Sequence, residues 1–306
     1  MIPFFTKLSP CVIGLEACGT SHYWARELSK LGHEVKLMPP AYVKPYVKRG
    51  KTDAGDAEAI CEAVTRPSMR FVAVKSADQQ VALCLHRTRD LLVRQRTQSV
   101  NMIRGLLAEF GIVTPKGIGN ALKLVERIIK GESLELPSAA RQSISHLAEQ
   151  THALHSRIVD LDKELQAWSR SNETAKRLQT IPGIGVLSAS ALVSSLADPH
   201  QFRSGRQFAA WLGLTPLARS SGGKERMGRI SKMGDRYLRR LLVSGMMARL
   251  RWAKTHPSKA PPWLVSLLER KPAKLVAVAL ANKTARIAWV VMTRGESYKA
   301  PQVSQA

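Results

Sequence analysis

Asp53 and Asp56 stand three residues apart directly after Thr52, a residue type that caps helix N-termini, so both carboxylates fall on one face of a first helical turn. Two carboxylates so placed can share a divalent cation. Glu16 closes the apolar run Cys11-Val12-Ile13-Gly14-Leu15, which reads as a strand. Strand ends are where sites collect in α/β sheets, and this makes Glu16 the natural third ligand. Three carboxylates from separate elements suit Mg²⁺, which activates a hydroxyl and stabilises the leaving group of a phosphodiester. The same two aspartates would equally complement a helix dipole, and spacing alone does not decide between the two roles.

A second constellation is Arg219-Ser220-Ser221-Gly222-Gly223-Lys224, followed by Arg226, Arg229, Lys232, Arg236, Arg239 and Arg240. A serine attacks phosphorus only when its alkoxide and the pentacovalent charge are stabilised, and neighbouring guanidinium groups can do both. From the residues alone, a solvated Ser/Gly linker is the simpler reading. A third is Ile181-Pro182-Gly183-Ile184-Gly185 between two helical patterns, which resembles the hairpin of helix-hairpin-helix modules. There a glycine turn lets backbone N–H groups approach a phosphate, which marks Gly183 and Gly185, although any tight turn between helices has this look. His152 and His155, at i,i+3, read as solvated surface rather than as metal ligands.

The charge balance says what these groups would meet. Lys plus Arg number 47 against 23 Asp plus Glu, a net charge of +24, in a chain of 306 residues. Such a field favours a polyanion, and nucleic acid above others, because each neutralised phosphate releases a condensed counterion. Lys224, Arg226, Arg229, Lys232 and Arg236 are the candidate phosphate contacts. Cys11, Cys18, Cys61 and Cys84 form no C-x-x-C pair and read as free, mostly buried thiols of a reducing compartment. No signal peptide pattern opens the chain, and the apolar stretch from Leu275 to Val291 is interrupted by Asn282, Lys283 and Arg286. The expectation is a cytoplasmic, nucleoid-associated protein with no membrane partner.

The elements that must position these groups follow from hydrophobic period. The strand at 11–16, a helix carrying Trp24, Leu28 and Leu31 and stopped by Gly32, and a strand at Glu34 to Met38 give a β-α-β rhythm, and Phe71 to Val74 adds a further short strand. Long helix follows from 78 to 110. Ile144, Leu147, Thr151, Leu154, Ile158, Leu161, Leu165 and Trp168 alternate spacings of three and four, a coiled-coil seam used either against the 78–110 helix or between subunits. Helices are expected near 186–197, 206–212, 235–252 and 271–293, with a loop over 219–234. The fold class is thus α/β plus mostly α. The expected domains are 1–77 (α/β), 78–173 (long helices), 174–294 (helical) and a disordered tail at 295–306.

Four segments then occur in one order. They are Ile13-Gly14-Leu15-Glu16-Ala17-Cys18-Gly19, Lys51-Thr52-Asp53-Ala54-Gly55-Asp56-Ala57, Ile181 through Gly185, and Gly213-Leu214-Thr215-Pro216 through Ser221-Gly222 to Ile230-Ser231-Lys232-Met233-Gly234. Together they resemble the DEDD-type transposases of the insertion sequence one-ten family, over nearly the whole chain. The resemblance implies an RNase H-like, RuvC-type domain, a coiled coil used in dimerisation and a transposase domain with a nucleophilic serine. It also implies a structured guide RNA, encoded by the element, that pairs with double-stranded DNA. By motif position, Glu16, Asp53 and Asp56 match three of the family's four acidic residues, and Ser221 matches the serine that forms a phosphoserine link, with Ser220 adjacent.

The family's first acid lies on an opening strand well upstream of the Glu motif, whereas only fifteen residues precede Glu16 here and none is acidic. The RNase H-like domain is therefore expected to be partial and the chain N-terminally truncated, through an upstream start codon or as a decayed copy. The competing functions are a RuvC-like nuclease using water and metal alone and a catalytically dead nucleic-acid-binding remnant.

Overall fold

The computed structural model describes residues 1–48, 50, 52–132, 135–218, 223 and 226–300. Two compact units form: residues 1–80 with 174–306, and residues 81–173.

The first unit opens with a short helix α1 (Ile2–Phe5), strand β1 (Val12–Glu16), helix α2 (Ser21–Lys30) and strand β2 (Glu34–Met38). The strands pair in parallel, Val12 opposite Glu34 through Glu16 opposite Met38, with α2 as the crossover. The β-α-β rhythm of the sequence is realised, and Gly32 takes φ +90° after α2. Helices α3 (Pro40–Val43) and α4 (Asp53–Val64) follow. Phe71 to Val74, expected as a strand, contributes a single antiparallel bridge of Val72 to Leu37. One bridge does not make a strand, and the parallel sheet among the described residues is the β1–β2 pair. In β1 only Ile13 is buried and Val12 is 49% exposed, because β2 is its one described neighbour.

Helix α5 (Ala77–Ala108), α6 (Ile118–Ile129) and α7 (Ser138–Ser171) carry the second unit. Ile144, Thr151, Leu154, Ile158 and Leu165 of the predicted seam are buried. Ile144 belongs to a core with Ile103 and Leu107 of α5 and Leu124, Val125 and Ile128 of α6. Farther along, Arg89 Nε donates to Asp162 Oδ1 at 2.5 Å and Arg96 Nη1 lies 2.9 Å from His155 Nδ1. α5 and α7 therefore pair within the chain, which is one of the two uses foreseen for the seam.

The first unit resumes with α8 (Glu173–Gln179), α9 (Val186–Ser195), α10 (Gly205–Trp211), strands β3 (Pro216–Ala218) and β4 (Met227–Ile230), α11 (Arg236–Thr255), α12 (Pro262–Arg270) and α13 (Ala273–Arg294). α13 is apolar and long enough to cross a bilayer by length and composition. Its stripe Val276, Ala277, Leu280, Ala281, Thr284, Ala285, Ala288 and Val291 is buried, and it packs on α10 and α11 as the central helix of this core. Gln79 Nε2 donates to the carbonyls of Val193 and Leu196 at 2.9 and 3.1 Å, joining the root of α5 to the end of α9.

All four cysteines are free and exposed rather than mostly buried. The reason is helical phase. Ala59 and Ala63 take the inner face of α4, and Ala82 and His86 that of α5, so Cys61 and Cys84 fall on the outside.

Candidate active site

α4 begins where Thr52 Oγ1 accepts from the Gly55 N–H at 3.1 Å, so the cap is the threonine and not an aspartate. Asp53, Asp56, Ile60 and Val64 then follow one stripe of the helix. That stripe meets β1 at Gly14, where an added Cβ would lie 3.0 Å from Ile60 Cγ2 and 3.2 Å from Val64 Cβ. The glycine of the Gly14-Leu15-Glu16 segment is thus explained by close helix-to-strand approach. Glu16, half-buried, ends the same strand two residues on, while Asp53 and Asp56 are exposed.

The opposite face of α4 behaves differently. Glu58 pairs with Lys48 at 2.5 Å and Glu62 pairs with Arg66. Among the described residues, Glu16, Asp53 and Asp56 have no salt bridge in a chain of net charge +24. Their hard oxygen donors suit Mg²⁺. Among the described residues, no three His, Cys, Asp or Glu stand close enough to share one ion. The fold gathers the two aspartates on one face and turns that face to the strand of Glu16 without closing a chelate.

The second candidate site is organised by backbone. Gly213 and Gly234 adopt φ of +70° and +80°, and an added Cβ would meet Met233 O at 2.0 Å and Trp211 O at 1.9 Å respectively. The Gly213-Leu214-Thr215-Pro216 and Ile230 to Gly234 segments are therefore pressed together where only glycine fits. Ser231 N–H donates to Thr215 O at 2.8 Å, and Lys232 N–H donates to Gly213 O at 3.1 Å. Arg239 Nη1 donates to the carbonyls of Leu212 and Met233 at 2.9 and 3.1 Å, and Asn282 Nδ2 to Leu214 O at 3.0 Å. Asp235 caps α11 through the Tyr237 and Leu238 N–H groups.

From this stem β3 and β4 rise as an antiparallel pair, Pro216 opposite Ile230 and Ala218 opposite Met227. Part of the segment expected as loop over 219–234 is thus strand. Ser221 and Lys224, with Ser220, lie outside the described residues. Arg226, Arg229, Lys232 and Arg236 are exposed around the stem. Arg239, grouped with them in the sequence, instead holds the stem together. Sequence reasoning missed its role, since no local signal announces a guanidinium aimed at distant carbonyls.

The Ile181 to Gly185 turn joins α8 to α9 as expected. Gly183 takes φ +90°, and an added Cβ would sit 2.4 Å from Met246 Cε. An added Cβ on Gly245 would lie 2.1 Å from Gly183 O, so this glycine pair seats the turn on α11. Gly185 is exposed at the start of α9 with no side-chain cap.

Residues 175–260 match the profile described as "Transposase IS116/IS110/IS902 family", and residues 4–112 match the profile DEDD_Tnp_IS110, described as "Transposase". A protein named "Probable family 20 transposase" from Pseudomonas aeruginosa is 49% identical over 97% of this chain and 88% of its own length. The chain belongs to this transposase family. The transposase for insertion sequence element IS1328 of Yersinia enterocolitica is 42% identical over 95% of this chain and 86% of its own length. That for IS1111A of Coxiella burnetii is 40% identical over 94% and 79%. Transposases of this family are DNA-cleaving and DNA-joining enzymes, and both candidate sites fall inside the matched segments.

Proposed function

We propose that this transposase cuts and rejoins the strands of an insertion sequence with Ser221 as nucleophile and Glu16, Asp53 and Asp56 as an acidic metal-binding set. The serine oxygen bonds to phosphorus, the phosphodiester's deoxyribose oxygen leaves and takes a proton, and the serine proton passes to solvent. A strand hydroxyl then attacks the phosphoserine, forming the new phosphodiester and returning the serine hydroxyl. One ester is exchanged for another at each step, so no water or external energy source is consumed.

The observation that carries this reading is the stem. Two positive-φ glycines, interlocked backbones and Arg239 hold the ends of the serine segment, while Arg226, Arg229, Lys232 and Arg236 are exposed around it. Cations exposed beside the ends of the serine segment support this reading, because a scissile phosphate bound there would need charge stabilisation. Mg²⁺ bound by Glu16, Asp53 and Asp56 would supply Lewis-acid stabilisation of phosphate charge. The salt bridges on the outer face of α4, against their absence at these three residues among the described residues, support that assignment.

The hairpin of Gly183 and Gly185 serves as a phosphate contact of the helix-hairpin-helix type. A structured guide RNA encoded by the element is the second polyanion, consistent with a net charge of +24. Two chains associate through the long-helix unit. Because its seam is covered within the chain, the contact uses the outer face, where Leu91, Met102 and Val159 are exposed.

Strand exchange by purified protein, with element ends, target DNA and Mg²⁺, tests the assignment. Ser221→Ala is expected to abolish exchange and leave DNA affinity within twofold, since the hydroxyl supplies chemistry rather than charge. Exchange lost in Ser220→Ala but kept in Ser221→Ala moves the nucleophile by one residue. Cleavage retained by both variants replaces the serine with a metal-activated water.

A further inference from the structure

The C-terminal helices enclose a cleft of about 1580 Å³ that neither candidate site uses. Trp252, Trp263 and Tyr298 line it together with Arg249, Lys259 and Lys283, and the turn carrying Gly183 and Gly185 forms its rim. Among the described residues, no Asp or Glu lines it. Trp252 is 45% and Trp263 42% exposed, a large apolar surface to leave in water without a ligand. Each indole is held from its neighbourhood. Trp252 stacks on His256 with ring centroids 5.3 Å apart and planes at 16°, and Lys283 Nζ sits 4.0 Å from the Trp263 ring centre.

Arg249 is half-buried, and burial lowers its pKa while Tyr298 opposes that shift. A guanidinium stays charged under such conditions, and partial burial strengthens its pull on an anion. Tyr298 is brought to the cleft because its N–H donates to Thr180 Oγ1 at 2.9 Å, which draws the segment after α13 back toward the α8–α9 turn. That segment was expected to be tail without structure. An apolar peptide would leave three cations without partners, and an acidic peptide would leave the indole faces unused. Aromatic rings within an acid-free, cationic wall match the chemistry of one ligand class, the planar base of a single strand flanked by phosphates.

We propose that this cleft receives an unpaired nucleobase, stacked on Trp252 and Trp263, while Arg249, Lys259 and Lys283 meet the phosphates on either side. The proposal rests on the reading that the adjoining hairpin contacts a nucleic-acid backbone. Duplex and RNA contacts then position the strand, and the cleft holds the one base that pairing leaves out.

The test is fluorescence anisotropy on the full-length protein with four probes: a 12-nucleotide deoxythymidine strand, a uridine strand of the same length, an abasic strand with the same phosphates, and a DNA duplex. The wild-type chain is expected to bind a base-bearing strand about tenfold more tightly than the abasic one, as one or two stacked bases provide. The tighter of the two homopolymers identifies the source of the base as DNA or RNA. Trp252→Ala and Trp263→Ala reduce that preference to twofold or less and leave duplex affinity unchanged. Trp263→Phe keeps most of the preference and Trp263→Leu loses it. Equal binding of abasic and base-bearing strands by the wild-type chain overturns the proposal without any variant being needed. Retention of the preference by a folded Trp263→Leu chain overturns it also, since that describes a generic apolar pocket. Loss of duplex binding in the wild-type chain instead defeats the underlying nucleic-acid reading.

Discussion

The serine stem and the acidic face are held in different ways. In the stem, geometry is written into backbone: two glycines stand where a single added carbon would collide with a carbonyl, and Arg239 ties the two strands' roots together. On the acidic face it is written into helical phase alone. Asp53 and Asp56 share the stripe that meets β1, yet the three carboxylates are not gathered within reach of one ion. The stem is pre-organised, so mutation there registers first as lost stability. On the proposed reading the acidic face would be assembled by the cation it binds, and mutation there is expected to register as lost activity in a protein of unchanged or better stability.

The largest expected stability effect belongs to the stem. Gly234→Ala puts a Cβ 1.9 Å from Trp211 O at a φ of +80° and is expected to cost at least ~3 kcal/mol. Gly223, with φ +75° and, among the described residues, no atom beyond its chain neighbours within 4 Å, is the control, and its change to alanine should cost only ~1 kcal/mol. Denaturant unfolding followed at equilibrium separates the two, and equal costs would remove the claim that the stem is built by close backbone approach.

The long-helix unit offers a pH lever distinct from either site. His86 in α5 is held at a pKa of about 4 by burial and by Arg89, with Asp162 opposing. It is neutral in the native state, whereas in the unfolded chain it takes up a proton as pH falls through 6.5. Stability is therefore lost between about pH 6.5 and 4 and is recovered above that window. The loss amounts to roughly 3 kcal/mol at most. Hydrogen exchange of residues 81–173 across this range should show faster opening at the acid end, and His86→Gln should flatten the dependence.

Smaller effects are expected on the acidic face. Asp53→Asn and Asp56→Asn relieve repulsion between neighbouring carboxylates, so melting in metal-free buffer stays unchanged or rises while Mg²⁺-dependent activity collapses. Thr52→Ala, which removes the cap to Gly55, should cost ~1 kcal/mol. If the aspartate variants lose stability as the threonine variant does, these residues serve the helix end and not a metal.

What the sequence made legible was local. Thr52 announced the start of α4, and the three-residue spacing of Asp53 and Asp56 put both acids on one face of it, while that this face meets β1 came only with the fold. The seam from Ile144 to Leu165 announced α7, though not its partner, because a stripe of this period fits a helix of its own chain or of another equally well. Neither α6 nor α12 was foreseen. β3 and β4 were hidden within a segment rich in Gly, Ser and basic residues, where Pro216, Gly228 and Arg229 carry no strand propensity. Their pairing is set by the contact of Gly213 with Met233 and of Gly234 with Trp211, which is long-range and leaves no periodic trace. That Glu16 has no salt bridge among the described residues, while Glu58 and Glu62 are paired, was equally invisible before the chain folded.

The central claim is that the stem presents a serine that bonds to phosphorus. A DNA substrate nicked near the cleavage point, so that the leaving strand diffuses away, traps any covalent intermediate. After protease digestion, mass spectrometry should find a nucleotide phosphate on the peptide holding Ser221, and product formed in ¹⁸O-labelled water should carry no label in the rejoined phosphodiester. Cleavage with no adduct, and with ¹⁸O at the new phosphate end, would contradict the account and return the reaction to water activated at the acidic face.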